Sequence, residues 1–321
     1  MTTLELLQLN LLSPMVLCFA LGMIARLLKS DLSLPPSVYT ALSAYLLFAI
    51  GLKGGVALSG VPISQMVGPI VATLLLGLIT PITSYGACRF LGRMNVADSG
   101  AMAAHYGSVS AVTFITTLAF LQSAGEPYEG FMPALVAVLE IPAIIVGLML
   151  ARSAMENAMP WREALSEIVT GKSVVLLAGG MTIGYLTRDT GWKQVEPFFG
   201  APFQGALCLF LLDMGLLAAS RLGDVRRTGV FLVAFALGAP VVHGALGLLA
   251  GWLVGMSLGG ATVLAAMTAS ASYIAAPAAV RLALPRANPA IYLTTSVGIT
   301  FPFNLAFGIP LYFAMAKGLY G

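Results

Sequence analysis

Charge is what this sequence has least of. Its 321 residues include 13 Asp and Glu, 16 Lys and Arg and 2 His, so that 9% are charged, where a soluble domain carries about 25%. Such a chain cannot coat a water-soluble surface. With a net charge of +3 and no dense basic run, it also has no face suited to nucleic acid. Cysteine is almost as scarce: Cys18, Cys88 and Cys208 stand far apart in apolar runs, without a CxxC or Cys/His cluster. That excludes a disulfide framework and a zinc site and leaves them packing roles. Lys and Arg are absent before Arg26, so the N-terminus lacks the basic start of a cleaved leader, and the first apolar run is expected to be retained.

What is abundant is apolar. The chain is 59% hydrophobic with a mean hydropathy of +0.93. Its runs are about 20 residues long, enough to cross a roughly 30 Å hydrocarbon layer as helices and twice what a barrel strand needs. They predict an all-α integral membrane protein with ten transmembrane helices, at 14–29, 37–56, 66–91, 97–122, 131–152, 172–187, 203–220, 229–254, 260–283 and 289–316. Positive charge collects on the cytoplasmic side of a membrane. Twelve of the 16 Lys and Arg fall at the ends of odd-numbered spans; Lys53, Arg188, Lys193 and Lys317 fall at even-numbered ends. Both termini are therefore expected on the outer, periplasmic side of a bacterial inner membrane.

The chain also resembles itself. SPMVLCFALGMIARLL at Ser13 is similar to VVLLAGGMTIGYLTRD at Val174, aligning Gly22 with Gly184 and Arg26 with Arg188; LLFAIGLKGGVALS at Leu46 is similar to LFLLDMGLLAASRL at Leu209, aligning Gly51 with Gly215. Pro81 matches Pro240 and Pro142 matches Pro302, at nearly the same offset. Residues 1–152 and 172–321 thus read as two five-helix repeats. An odd number of spans makes the second enter from the opposite side, an arrangement that points to secondary transport. Residues 153–171 read as the cytoplasmic linker, in which Leu165, Ile168 and Val169 with Glu163 and Glu167 fit either a plain connection or a short interfacial helix.

The fourth and ninth spans each carry small and hydroxyl residues where a lipid-facing helix carries Leu or Val. HYGSVSAVT runs from His105 to Thr113 and MTASASYIAAP from Met267 to Pro277; Ser108 and Ser110 recur as Ser270 and Ser272 at an offset of 162. Both stretches read as breaks in membrane helices. Non-helical backbone at that depth is tolerated only where protein buries it or where it lines a polar cavity. Half-helix N-termini at such breaks attract anions, and freed carbonyls hold a coupling cation. An anion site at these serines is the central expectation; serines bonded back onto their own helices are the alternative.

Few other residues carry chemistry. Glu140 stands before Pro142 in the fifth span, and carboxylate plus freed carbonyl is a setting for Na⁺; its counterpart in the other half is Thr300, before Pro302. Asp213 lies within a Leu-rich run and Lys53 near a matching place, so the two either pair across the repeat axis or Lys53 snorkels to the outer surface. His105, three residues before Ser108, raises an intramembrane serine hydrolase, but no nearby acid orients the ring and no Gly-x-Ser-x-Gly elbow exists. A cation/proton antiporter would need a titrating carboxylate at the crossing of the breaks. Glu140 and Asp213 are expected on neighbouring helices instead. His243 beside Pro240 reads as a helix contact, and Asp98 as a cap or first-turn residue.

SASYIAAPAAVRLALPRANPAIY, Ser270 to Tyr292, resembles the second signature of sodium-dependent bicarbonate transporters of the SbtA type. GSVSAVT resembles their first signature, and Glu140-Ile141-Pro142 stands where they carry Asp-Ile-Pro. The resemblance implies an inverted five-plus-five fold with broken, crossing fourth and ninth helices in core and gate domains, commonly trimeric. It implies HCO₃⁻ at Gly107, Ser108, Ser110, Ser270 and Ser272, Na⁺ as coupling ion, and no catalytic step. Where the family has Asp directly after its serines, this chain has Tyr273, which brings no carboxylate to Na⁺. Glu140 or Asp213 in its place, H⁺ as the coupling ion, or another small oxyanion or carboxylate as substrate are the alternatives. The 153–171 linker is shorter than the cytoplasmic loop of familiar members, so the resemblance leaves regulation by a PII-like partner open.

Overall fold

The computed structural model describes residues 3–151, 166 and 169–321; most of the expected 153–171 linker, with its short interfacial helix, lies outside them. Every regular element among the described residues is helical. In chain order these are α1 (Thr3–Leu11), α2 (Pro14–Leu27), α3 (Pro36–Leu58), α4 (Ile63–Leu91), α5 (Val96–Gly107), α6 (Ala111–Ala124), α7 (Met132–Leu150), α8 (Lys172–Phe199), α9 (Phe203–Thr228), α10 (Val230–Leu253), α11 (Leu258–Thr268), α12 (Ala276–Ala283) and α13 (Pro289–Tyr320). Seven units are long and apolar enough to cross a membrane: α3, α4, α5 with α6, α7, α9, α10 and α13. α2 and α11 are apolar but shorter. The α8 helix is interrupted at Arg188, whose φ of 53° and ψ of −156° are not helical; the predicted sixth span stops one residue earlier.

The closest packing is between helices far apart in the chain. α3 lies along α8, and α2 along α9. Both contacts are made by glycines on which no side chain fits: a Cβ on Gly22 would overlap the carbonyl of Leu212, one on Gly215 that of Phe19, one on Gly55 that of Met181, and one on Gly184 that of Leu52. In a bilayer, where lipid is as apolar as Leu, such close approach supplies the packing attraction that holds helices together. Gly51 and Gly55 both approach α8, and it is the contact of Gly55 with the Met181 carbonyl that resembles the contact of Gly215 with the Phe19 carbonyl on α2.

Prolines within these helices free carbonyls, and side chains from other helices satisfy them. Pro240 removes the donor for the carbonyl of Ala236, and the Thr300 hydroxyl supplies one at 2.7 Å. Pro310 does the same to Ala306, which accepts from the Asn10 amide at 3.1 Å; the same amide donates to Leu305 at 2.8 Å. This part of α13 is π-helical, over Thr294–Thr300 and Asn304–Gly308, and π-turns of this kind concentrate at functional regions.

Replacing Gly184 by Val is expected to lower the melting temperature of the purified protein in detergent, with an overpacking cost of about 1–3 kcal/mol. Gly179→Ala, where a Cβ meets nothing within 4 Å, is expected to leave the temperature unchanged. Equal melting temperatures for both variants would contradict the packing role.

Candidate functional site

Two short half-helices point their broken ends at each other. α5 starts on an Asn95 cap and stops at Gly107; Ser108 and Ser110 are in extended backbone, and α6 begins with Ser110 as its cap, accepting from the Thr113 N–H at 3.2 Å. α11 starts on a Ser257 cap and stops at Thr268; non-helical backbone then runs to α12, whose Pro277 pre-sets the first turn. Gly107 and the serines after it are weak helix formers, and Ser110 captures the Thr113 amide as the cap of the next helix.

The breaks satisfy one another. The Ser110 N–H donates to Ser270 Oγ at 2.7 Å, and Ser270 Oγ donates to the carbonyl of Met267 at 2.7 Å. The Ser272 N–H donates to the carbonyl of His105 at 2.8 Å, and Ser272 Oγ accepts from the Ala276 N–H at 3.3 Å. Asn304 on α13 donates to the carbonyl of Ala269 at 2.9 Å, held by the Tyr312 hydroxyl at 2.8 Å. On the other side, the Thr80 hydroxyl approaches the Gly107 carbonyl at 3.3 Å, and a Cβ on Gly107 would press into the Pro81 ring. Thr80, Pro81 and Asn304 of the neighbouring helices thus serve the broken ends.

Between the breaks is a cavity of about 10 Å³ bordered by Ser110, Glu140, Ser272 and Tyr273, room for about one water. Glu140 is 3% exposed, and no described residue forms a hydrogen bond or ion pair with its carboxylate. The buried hydroxyls of Ser108 and Thr113 have no partner, and that of Tyr273 completes no hydrogen bond of good geometry although Ser110 stands beside it. The Tyr273 hydroxyl beside the Glu140 carboxylate is what a polar ligand in the cavity would engage, since a buried polar group left unpaired costs about 1–3 kcal/mol. No described cluster of three or more His, Cys, Asp or Glu exists. A cation here would rely on one carboxylate with hydroxyl and carbonyl oxygens, which suits a hard monovalent ion rather than a transition metal.

The expected residues are therefore only partly brought together. Ser110, Ser270 and Ser272 meet with Tyr273, while Ser108 and Gly107 are buried next to them and do not border the cavity. Glu140 corrects the expectation that no carboxylate stands at the crossing: α7 presents it directly to the cavity. Thr300 is held away by Tyr106, whose hydroxyl is 2.7 Å from it, and by the Ala236 carbonyl. Asp213 borders a separate cavity with Arg26 and Tyr39, and it does not pair with Lys53, which is exposed in another. His105 gives its Nδ1 to the carbonyl of Ala101 at 2.7 Å and stacks on Tyr292, leaving Ser108 unbonded, so the serine–histidine pair is not formed. His243 makes the anticipated helix contact, to Thr83 at 2.9 Å. Asp98 sits in the first turn of α5, with Asn95 as the cap, and accepts from the Asn288 N–H at 2.7 Å.

Paired serine breaks of this construction, over ten predicted spans, call for comparison with known families. A family model described as the Na⁺-dependent bicarbonate transporter superfamily matches residues 14–317. The chain belongs to this superfamily. It is a transporter family, which sets the hydrolase alternative aside, and it carries sodium dependence and bicarbonate in its description. A search of the curated proteins found no match. Asn304, Thr113 and Tyr39 were not singled out from the sequence. Asn304 is an isolated amide in an apolar run, a signal that would have marked it; Thr113 and Tyr39 differ in nothing from ordinary helix residues.

Ser270→Ala is expected to destabilise the protein by about 1–3 kcal/mol, because the buried Ser110 N–H loses its acceptor. Ser108→Ala loses no bond and is expected to melt as the wild type while losing uptake. Thermal melting of both variants, beside uptake into vesicles, checks this; retained uptake in Ser108→Ala would remove Ser108 from the site.

Proposed function

We propose that the protein is a secondary active transporter that imports bicarbonate, or a similar small anion, across the bacterial inner membrane with Na⁺ as the coupling ion. The observation that carries this is the meeting of two serine-lined helix breaks around a cavity that also holds the Glu140 carboxylate. Family membership supplies bicarbonate and sodium as the expected pair.

The architecture proposed is ten spans in two inverted five-helix repeats, 1–152 and 172–321, with the fourth and ninth broken. In its support, the α2–α9 and α3–α8 contacts are images of one another: Gly22 on Leu212 mirrors Gly184 on Leu52, and Gly215 on Phe19 mirrors Gly55 on Met181. A further pair of contacts follows the same rule. Asp98 ties the start of α5 to the loop before α13, and Glu129, accepting from Ser257 at 2.6 and 3.0 Å, ties the start of α11 to the loop before α7. Helices α2, α3, α8 and α9 would form the gate, and the broken helices with α4, α7, α10 and α13 the core, which moves against it.

In this reading the anion exchanges its hydration shell for the Ser108, Ser110, Ser270 and Ser272 hydroxyls and the amides after them. Neutral donors hold it without a strong counter-charge, so that it also leaves. Glu140 and the Tyr273 hydroxyl hold Na⁺ beside it, the two ions each neutralising the other's buried charge. The Glu140 carboxylate at the crossing also favours a second reading, coupling to H⁺, with a small carboxylate as substrate or with cation/proton exchange as the cycle.

Uptake of labelled bicarbonate into proteoliposomes under an inward Na⁺ gradient, an inward H⁺ gradient or neither tests the two. Sodium-stimulated uptake is expected, and Glu140→Gln is expected to reduce that stimulation about tenfold or more while changing anion affinity less. Uptake stimulated by H⁺ alone would select the second reading, and no uptake by folded protein would overturn the substrate.

A further inference from the structure

Two larger cavities flank the crossing from opposite ends of α3. One, of about 410 Å³, is bordered by Tyr39, Arg26 and Asp213. The other, of about 330 Å³, lies among α3, α6 and the stretch from Trp192 to Gln204. Tyr39 and Lys53 are about 21 Å apart along the helix at 1.5 Å per residue. Each cavity stops short of the serines. Ile115, about 7.5 Å along α6 from Ser110, lines the second together with Ile50.

Charge distinguishes the two. In the first, Asp213 shares the lining with Arg26, so positive and negative groups offset each other. In the second, Lys53 is the one charged residue among the described residues that line it. It is exposed, and no described residue forms an ion pair with it. Lys53 and Asp213 also stand at equivalent places. The glycine contacts equate Gly55 with Gly215, two residues beyond Lys53 and Asp213 respectively. The same position thus carries opposite charges on the two gate helices, and only the lysine is left uncompensated in its cavity. The rest of that lining suits a small, hydrated anion: the Gln122 and Gln204 side-chain amides and the Trp192 indole N–H are donors.

We propose that the Lys53 cavity is the anion-collecting vestibule of the pathway, in which the Lys53 ammonium concentrates the small anionic substrate before it reaches the serine breaks. This rests on the transport reading above and adds to it a steering residue remote from the serines. A low-dielectric cavity with one sign of charge focuses the field, and such focusing raises association rates by about 10–10³-fold. Because Lys53 acts on arrival rather than on the occluded complex, its effect falls on kcat/KM. That effect weakens as salt shortens the Debye length.

The test has two arms, so that failure of the transport reading and failure of this inference are told apart. In proteoliposomes, Lys53→Gln is expected to lower kcat/KM for bicarbonate severalfold and Lys53→Glu about tenfold or more, with much smaller changes in kcat and with Lys53→Arg restoring the wild-type value. The fall of wild-type kcat/KM with ionic strength is expected to flatten in Lys53→Gln and to reverse in Lys53→Glu. The second arm needs no transport. In a background with Cys18, Cys88 and Cys208 replaced by Ala, Gln122→Cys is treated with anionic and cationic methanethiosulfonates, and the ratio of their rates reads the potential in the cavity. That ratio is expected to fall about tenfold on adding Lys53→Glu. An unchanged ratio overturns the vestibule whatever the transport assay gives. A changed ratio with unchanged kcat/KM in a transporting protein overturns its role in collecting substrate. A changed ratio in a protein that moves no bicarbonate retains the anion vestibule and overturns only the substrate.

Discussion

The structure depends on a single constraint: backbone that leaves a helix inside hydrocarbon must find hydrogen-bond partners within the protein. At the two breaks the partners come from each other. The Ser110 N–H binds the Ser270 hydroxyl and the Ser272 N–H binds the His105 carbonyl, so neither break is satisfied without the other. This mutual dependence fixes where α5, α6, α11 and α12 meet. It also creates a polar spot in an otherwise apolar core, where the Ser108, Thr113 and Tyr273 hydroxyls are buried without a partner among the described residues.

The surrounding helices extend the same logic outward. Prolines in α10 and α13 free carbonyls that Thr300 and Asn10 satisfy from other helices. The starts of α5 and α11, whose unpaired N–H groups concentrate positive potential, are each held by a carboxylate, Asp98 and Glu129. The broken helices are thus anchored at their outer ends and joined to each other at their inner ones. The α2–α9 and α3–α8 pairs are held by close glycine contact, with Tyr45 and Lys172 donating to the Phe198 and Thr40 carbonyls between α3 and α8.

Within this frame the buried Glu140 carboxylate is the least stable element. An ionised carboxylate in the bilayer interior costs a few kcal/mol or more, and no described group pairs with it. A cation or a proton at the carboxylate would relieve that cost.

The all-helical membrane character, the two serine breaks and the prolines were legible in the sequence. Hydrocarbon thickness sets span length, and hydroxyl residues at membrane depth stand out against their neighbours. Ser110, Ser270 and Ser272 were found for that reason. Three features were decided by tertiary structure alone. Glu140 faces the crossing because α7 is rotated so, and helix rotation depends on neighbours that no local pattern encodes. Gly55 rather than Gly51 matches Gly215, since GLKGG offers several glycines and only the contact with α8 selects among them. Lys53 and Asp213 occupy separate cavities instead of pairing, because α3 and α9 present them on different sides of the packed helices. Sequence alone determined what the membrane requires of each segment; which side chains face one another was decided by how the segments pack, where close backbone approach and mutual hydrogen bonding leave one arrangement.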